Sequence, residues 1–208
     1  MLLSRPPSSA NSLSVSHTRK NTHKLLHQAI QQQDYSTAIH LLSYLIAQEP
    51  QTSKHYSNRG LMHYHRGKWP QAIRDYNQAL QINPNDDRIY AYRARCNIAL
   101  EHWDAAITDY DFAIDINPHN TQARLHQGVL FRALQMYDDA IVCFDLALFL
   151  GQLNAHIYAE RGRTYQLIGH WNCAFGDYQK ALELLCKAPS SPLKSQIQAW
   201  ISELLPSQ

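Results

Sequence analysis

The sequence feature that most constrains the fold is a phrase that returns every 34 residues. Residues 72–76 (Ala-Ile-Arg-Asp-Tyr) return as residues 106–110 (Ala-Ile-Thr-Asp-Tyr), and an Asn-Pro pair follows each copy at the same distance. Steps of the same length reach Ala-Ile at 140–141, Ala-Phe at 174–175 and Ala-Ile at 38–39. A period of this length indicates stacked helical hairpins, because one hairpin cannot bury its apolar face alone.

Five repeats follow one another in phase, and each is predicted to fold as two helices, helix A and helix B. In the second repeat the turn between them falls near Gly67, and Pro70 suits the first turn of helix B, where its missing N–H costs nothing. Pro84 and Pro118 end helix B, since proline cannot continue a helix. The predicted organisation is a disordered tail at 1–18, repeats at 19–52, 53–86, 87–120, 121–154 and 155–188, and a capping helix at 190–205.

Small and aromatic residues recur at fixed places in the repeats. Helix A carries a small residue, and helix B carries an aromatic ring sixteen residues later; the pairs are Gly60 with Tyr76, Ala94 with Tyr110, Gly128 with Phe144, and Gly162 with Tyr178. The first repeat matches less well, with Leu26 where the glycine stands elsewhere. Together with the alanines of helix B and the closing prolines, this pattern resembles the tetratricopeptide repeat (TPR) family in its bacterial and cyanobacterial form.

The resemblance implies both a fold and a mode of work. The fold is expected to be all-α, a right-handed superhelix of five helix-turn-helix repeats with a C-terminal capping helix. Members of the family bind other proteins, so this chain is expected to be an adaptor, a scaffold or an assembly factor that holds a peptide or protein segment in its concave groove. The resemblance does not name the partner.

The C-terminal segment is predicted to cover the last repeat. A repeat stack exposes an apolar face at its end and needs a cap. Ser191 and Pro192 suit the start of a helix. The apolar residues that follow at helical spacing are Leu193, Ile197, Trp200, Ile201 and Leu204.

Charged residues of helices A and B are present together or absent together. Arginine directly precedes the small residue of helix A in three repeats, and each of these repeats has an aspartate sixteen residues later. The fourth repeat has Gln127 and Cys143 at these places, and the first has Leu25 and Leu41. We predict structural ion pairs between the helices, formed by Arg59 with Asp75, Arg93 with Asp109, and Arg161 with Asp177.

In the TPR family helix A lines the concave wall, and this defines the residues expected to bind a partner. They are Lys20, Lys24, Lys54, Asn58, Leu61, Tyr64, Arg88, Tyr92, Arg95, Ile98, Leu125, His126, Val129, Arg132, His156 and Arg163. Seven of them are lysine or arginine, and Glu160 is the one acid expected on the same wall. Such a surface favours an acidic peptide with apolar anchors.

One partner of the family can be tested against the residues. TPR cochaperones grip the C-terminal carboxylate of heat-shock chaperones with two lysines, two asparagines and an arginine. The best register of this chain places His23, His27, Asn58, Arg88 and Tyr92 at the five positions. The clamp is incomplete, so we predict that the chaperone tail does not bind tightly.

The sequence gives little support for catalysis, a cofactor or a metal. It has neither a GxGxxG nor a GxxxxGK[ST] motif for phosphate binding. His23 and His27 lie four residues apart, but no third ligand accompanies them at a clear spacing. The four cysteines fit no zinc pattern. We predict a protein that is not an enzyme and has no catalytic, cofactor or metal site.

Charge and hydropathy bear on partners and compartment. The formal net charge is +2, which argues against a dedicated DNA-binding protein. A single-stranded RNA-binding helical repeat protein is the alternative function, since related helical hairpins read RNA. The repeat length and the pattern of alanine, aromatic and proline residues favour the protein-binding family. The sequence has no run of 18 apolar residues, so it predicts no membrane-spanning helix. The cysteines form no CxxC motif, which favours reduced thiols and the cytoplasm. The basic, serine-rich first 20 residues leave an organelle transit peptide as a minor alternative, and the oligomeric state stays open.

Overall fold

The computed structural model describes residues 21–151, 154–186 and 191–204. Every regular element in these ranges is an α-helix, as the repeat pattern predicts. The helices are α1 (21–31), α2 (Tyr35–Gln48), α3 (Ser53–His65), α4 (Trp69–Ile82), α5 (Asp87–Ala99), α6 (Trp103–Ile116), α7 (Thr121–Ala133), α8 (Tyr137–Leu150), α9 (Ala155–Leu167), α10 (Trp171–Leu184) and α11 (Pro192–Leu204). None of them is both long and apolar enough to cross a membrane. The predicted tail at 1–18 lies outside the described residues.

The helices recur at the period of the sequence. The even-numbered helices α2 to α10 begin 34 residues apart, and so do the odd-numbered helices α3 to α9. The turn before each even-numbered helix holds one residue with φ between 56° and 80°, namely Gln33, Gly67, Glu101, Gln135 and Gly169. Glycine adopts this left-handed conformation without a steric cost, whereas a residue with a Cβ atom does not. The same turn is therefore built at all five places, although only two of them carry glycine.

The chain divides into two compact units, Met1–Leu100 and Glu101–Gln208, which we call the N-terminal and C-terminal units. In the N-terminal unit, Leu26 of α1 packs with Leu42 and Leu45 of α2 and with Met62 of α3. Leucines thus fill the space that a small residue and an aromatic ring share in the later repeats. A second cluster joins α4 and α5 around Tyr76 and Ile89.

The C-terminal unit has two apolar clusters. The first surrounds Phe144 and joins α7, α8 and α9. The second surrounds Tyr178 and joins α9 and α10 to α11 through the buried Leu193 and Ile197. Trp200, Ile201 and Leu204 are partly buried against the same cluster. The apolar stripe of α11 therefore covers the side of α9 and α10 that the preceding helices leave open.

A close approach of helices A and B requires glycine at three places. A Cβ atom on Gly60 would lie 2.7 Å from Tyr76, one on Gly128 would lie 2.6 Å from Phe144, and one on Gly162 would lie 2.9 Å from Tyr178. Each of the three rings is fully buried. The recurring pair of a small and an aromatic residue is thus a packing contact.

Gly128→Ala is expected to lower the free energy of unfolding by about 1–3 kcal/mol, because the new methyl group overlaps a ring that has no room to move. Gly176→Ala is a matched control, since a Cβ atom there meets nothing within 4 Å inside helix α10. The control is expected to gain up to about 1 kcal/mol from helix propensity alone. Urea denaturation of both variants measures the difference, and equal stabilities would contradict the packing account.

Candidate functional site

Two of the predicted ion pairs connect helix A to helix B of their repeat. In the N-terminal unit, Arg59 donates from Nε to Asp75 Oδ2 at 3.0 Å and from Nη2 to Asp75 Oδ1 at 2.6 Å. In the C-terminal unit, Arg161 makes the same two bonds to Asp177 at 2.8 and 2.7 Å. The hydrogen bond to the aspartate raises the pKa of each guanidinium. The charged groups of these residues bind each other within the fold, so their role is structural.

Arg59 and Arg161 also contact the preceding repeat, as Arg93 does, and the sequence pattern did not predict this contact. Arg59 donates to Ser43 Oγ at 3.0 Å, Arg93 to Asn77 Oδ1 at 2.7 Å, and Arg161 to a carboxylate oxygen of Asp145. Each acceptor lies sixteen residues before its arginine, on helix B of the preceding repeat. One guanidinium thus ties neighbouring repeats together. The predicted pairing of Arg93 with Asp109 stays a prediction.

The fourth repeat keeps this geometry with neutral groups. Gln127 donates from Nε2 to Asp111 Oδ1 at 2.6 Å, and the thiol of Cys143 donates to Gln127 Oε1 at 3.6 Å. Burial raises the pKa of the Cys143 thiol to about 11, so the thiol keeps its proton at neutral pH. An amide and a thiol therefore replace the guanidinium and the carboxylate.

Five of the predicted partner-binding residues line one cleft in the N-terminal unit. The cleft lies between α3 and α5 and has a volume of about 170 Å³. Lys54, Asn58 and Leu61 come from α3, and Arg88 and Tyr92 come from α5. We call it the α3/α5 cleft. Their spacing on the two helices brings them to one face, since residues three and four apart are neighbours on a helix.

The electrostatics of the α3/α5 cleft favour an anion. Its charged side chains are Lys54, Arg88 and Asp86, so two positive charges and one negative charge leave +1. Asp86 accepts from Arg88 at 3.2 Å, and this hydrogen bond raises the pKa of the guanidinium. Arg88 keeps 68% of its side chain exposed. Lys54 and Arg88 both lie in the first turn of their helices, where the helix dipole adds positive potential.

Two further predicted residues contact each other beside this cleft. Arg95 donates from Nη2 to Tyr64 Oη at 3.0 Å, and its guanidinium carbon lies 4.7 Å from the centre of the Tyr64 ring. Both side chains are half-buried. Lys24 on α1 is exposed and Ile98 on α5 is half-buried, whereas Lys20 lies outside the described residues.

The prediction for the C-terminal unit needs one correction. Leu125 is wrong as a partner-binding residue, because it is only 6% exposed and packs in the cluster around Phe144. The two arginines predicted in this unit form ion pairs, Arg132 with Glu160 at 2.5 Å and Arg163 with Glu203 at 2.6 Å.

The docking of α11 explains the second pair. Glu203 belongs to this helix, and Trp200 of the same helix lies under the Arg163 guanidinium at 5.5 Å. Of the other residues predicted in this unit, His156 is exposed, while His126 and Val129 are half-buried. Both arginines predicted in this unit are thus held in ion pairs within the fold.

The remaining reactive groups are the metal-ligating side chains and the cysteines. Within the described ranges, no group of three or more His, Cys, Asp or Glu side chains could hold a metal ion. None of the four cysteines, all within the described ranges, forms a disulfide bond; Cys96 and Cys143 are buried, and Cys173 and Cys186 are exposed.

Comparison with family models agrees with the repeat pattern. Two models, each described as a tetratricopeptide repeat, match residues 25–97 and 93–155. The chain belongs to the tetratricopeptide repeat family. Proteins with this fold are typically modules for protein interaction and not catalysts, and the class of this protein is therefore a protein-interaction scaffold.

Solved structures of TPR proteins share the fold. MamA from Desulfovibrio magneticus RS-1 aligns with a TM-score of 0.72 at 13% identity, over 82% of this chain and 97% of that chain. A thermophilic TPR protein from Thermus thermophilus, TTC0263, gives a TM-score of 0.69 at 19% identity, over 86% and 97%. YrrB, described as a TPR protein with an unusual peptide-binding site, gives 0.64 at 16% identity, over 86% and 90%.

Proposed function

We propose that this protein is an adaptor, scaffold or assembly factor that binds an acidic peptide segment of another protein in the α3/α5 cleft. The observation that carries the proposal is the convergence of Lys54, Asn58, Leu61, Arg88 and Tyr92 on one surface of two neighbouring helices. A scaffold of rigid helices that presents such a surface suits recognition of an extended chain.

The lining supplies each kind of contact that a peptide needs. Lys54 and Arg88 bind carboxylates of the partner, and the guanidinium of Arg88 binds bidentately when it leaves Asp86. The Asn58 amide donates to and accepts from a peptide group. Leu61 and Tyr92 receive an apolar anchor beside the buried Ile89. Acidic residues that flank one apolar residue are therefore the partner motif that fits best.

Family and neighbours support a peptide ligand without naming it. A peptide-binding site is attributed to YrrB, which shares the fold. Three of the residues that line the α3/α5 cleft, Asn58, Arg88 and Tyr92, also occupy positions of the chaperone carboxylate clamp. Because the remaining clamp positions hold His23 and His27, an internal acidic segment is the expected ligand and not a chaperone C-terminus. We further propose a reducing, cytoplasmic location, in keeping with four described cysteines that form no disulfide bond.

Charge reversal tests the α3/α5 cleft directly. A fluorescein-labelled peptide with two glutamates around a leucine, blocked at both ends, is titrated with the full chain and followed by fluorescence polarisation. Lys54→Glu combined with Arg88→Glu is expected to weaken binding by about tenfold or more, because both cations face the ligand. Arg74→Glu is the matched control, since Arg74 is exposed on α4 and does not line the cleft.

The outcomes separate the two candidate functions. Loss of binding in the double variant, with wild-type binding in Arg74→Glu, supports a peptide site in the cleft. Equal binding in all three proteins would contradict it. A single-stranded RNA that binds more tightly than the peptide, and that loses affinity in the double variant, would replace the peptide proposal by the RNA-binding alternative.

A further inference from the structure

A second cleft lies in the C-terminal unit and carries the opposite charge. It has a volume of about 480 Å³ and lies between α6 and α8, over α7. Its acidic residues are Asp111, Asp115 and Asp139, and its basic residue is Arg124. One positive and three negative charges leave −2. We call it the α6/α8 cleft; none of its lining belongs to the helices that form the α3/α5 cleft.

The α6/α8 cleft exists because an arginine is missing from the interhelical network. Arg161 fills the corresponding space between α8 and α10, where it contacts Asp145 and Asp177. Arg59 fills the space between α2 and α4 in the same way. In the fourth repeat Gln127 is shorter than arginine and has no charge. Space for a guanidinium is therefore left between the helices.

The position of Asp111 indicates which chemical group the space beside Gln127 would bind. It occupies the place of Asp145 one repeat earlier, and Asp145 pairs with the Arg161 guanidinium. Asp111 instead accepts a hydrogen bond from the neutral amide of Gln127. Among the described residues, no lysine or arginine forms an ion pair with Asp111, Asp115 or Asp139. The chain's own packing thus provides a template for a bound arginine.

Apolar side chains line the rest of the α6/α8 cleft. Val142 and Leu146 lie one turn apart on α8 and are 55% and 39% exposed. Phe131 of α7 lies beside them in the lining. An exposed valine and leucine next to carboxylates that form no ion pair with a described lysine or arginine favour a ligand that brings both a cation and an apolar side chain.

We propose that the α6/α8 cleft binds a basic peptide segment of a partner protein. An arginine or lysine of the segment binds Asp111 beside Gln127, near the space that the missing interhelical arginine would take. Asp139, one turn before Cys143 on α8, provides the second carboxylate. An apolar neighbour of the bound residue packs on Val142 and Leu146. An acidic cleft repels the phosphates of nucleic acid, and the exposed Val142 and Leu146 suit an apolar side chain, so a polypeptide fits both parts of the lining. The proposal does not depend on the α3/α5 cleft, and either can fail alone.

Binding is measured by fluorescence polarisation of a labelled peptide that carries two arginines and a leucine among glycines and serines. Asp111→Asn combined with Asp139→Asn is expected to weaken binding by about tenfold or more, and added salt is expected to weaken binding to the unmodified chain. Asp138→Asn is the matched control, because Asp138 is the exposed neighbour of Asp139 and does not line the α6/α8 cleft. It is expected to bind within about twofold of the wild type.

A second variant fills the cleft from within. Gln127→Arg combined with Cys143→Asp copies the Arg161–Asp177 pair into the fourth repeat. This variant is expected to keep the wild-type melting temperature or raise it, and to lose the peptide. Peptide binding that is the same in all four proteins would overturn the proposal.

Two further outcomes would assign the α6/α8 cleft to another occupant. Light scattering that shows a dimer of the full chain, converted to a monomer by Gln127→Arg with Cys143→Asp, would assign it to a second copy. Binding that appears only after removal of the basic residues 1–20 would assign it to the chain's own N-terminal segment. Either result would overturn the proposal of a separate partner.

Discussion

Asp75→Ala is expected to lower the free energy of unfolding by about 2–4 kcal/mol at neutral pH. The carboxylate accepts two hydrogen bonds from Arg59, and its side chain is only 8% exposed. Without it, a guanidinium whose side chain is 23% exposed keeps Ser43 as its remaining hydrogen-bond acceptor. Removing one partner of a buried pair is costly because the other charge stays desolvated. Urea denaturation followed by circular dichroism measures the change.

The fourth repeat suggests a pair of substitutions that should restore the stability lost in Asp75→Ala. Arg59→Gln combined with Asp75→Cys copies Gln127 and Cys143, which make a neutral contact at the same place. The double variant is expected to recover at least about half of the lost stability, because no charge is left buried. An Asp75→Ala protein with the wild-type denaturation midpoint would show that the pair contributes nothing.

Ile197→Asp is expected to detach helix α11 and to cost about 3 kcal/mol or more. Ile197 is fully buried among Ala155, Ala159, Tyr178 and Leu193. Its burial contributes about 1.5–3 kcal/mol, and an aspartate at this place would bury an unpaired charge. The helix therefore leaves the cluster. Hydrogen exchange should become fast over 192–204 and faster over α9 and α10.

The neighbouring residue gives the control. Gln198 is exposed on the same helix, and Gln198→Asp is expected to change stability by no more than about 0.5 kcal/mol. If Ile197→Asp leaves exchange over α11 as slow as in the wild type, the helix is not held by this cluster.

Most of the fold could be predicted from positions that hold the same type of residue in successive repeats. Gly128 and Phe144 belong to a series of small and aromatic residues, and their contact follows from that series. The pairing of Arg59 with Asp75 follows from a second pattern, because the two charges are present together in some repeats and absent together in others. Each of these contacts has one fixed chemistry within a repeat, so comparing the repeats reveals it.

Contacts with variable chemistry could not be predicted in this way. The second acceptor of the interhelical arginines is Ser43, Asn77 or Asp145, and no constant residue type marks the position. The pairing of Arg163 with Glu203 depends on where α11 packs, which no repeat reports.

Leu125 did leave a signal in the sequence. The equivalent positions of the neighbouring repeats hold Ser57, Ala91 and Ala159, small residues that indicate a close helix contact. The sequence also carried a signal for the α6/α8 cleft, because Gln127 stands where three other repeats have arginine. The space beside Asp111, however, is visible only in the structure.

The central claim is that the α3/α5 cleft binds an acidic peptide. An NMR titration that locates the bound peptide by backbone amide chemical shifts tests this claim most directly. The full chain, labelled with ¹⁵N, is titrated with the peptide of two glutamates and a leucine, and amide chemical shifts are followed. We expect the largest changes in the first two turns of α3 and α5, around Lys54, Asn58, Arg88 and Tyr92. Shifts confined to other helices, or no shifts at saturating peptide, would contradict a peptide site in the α3/α5 cleft.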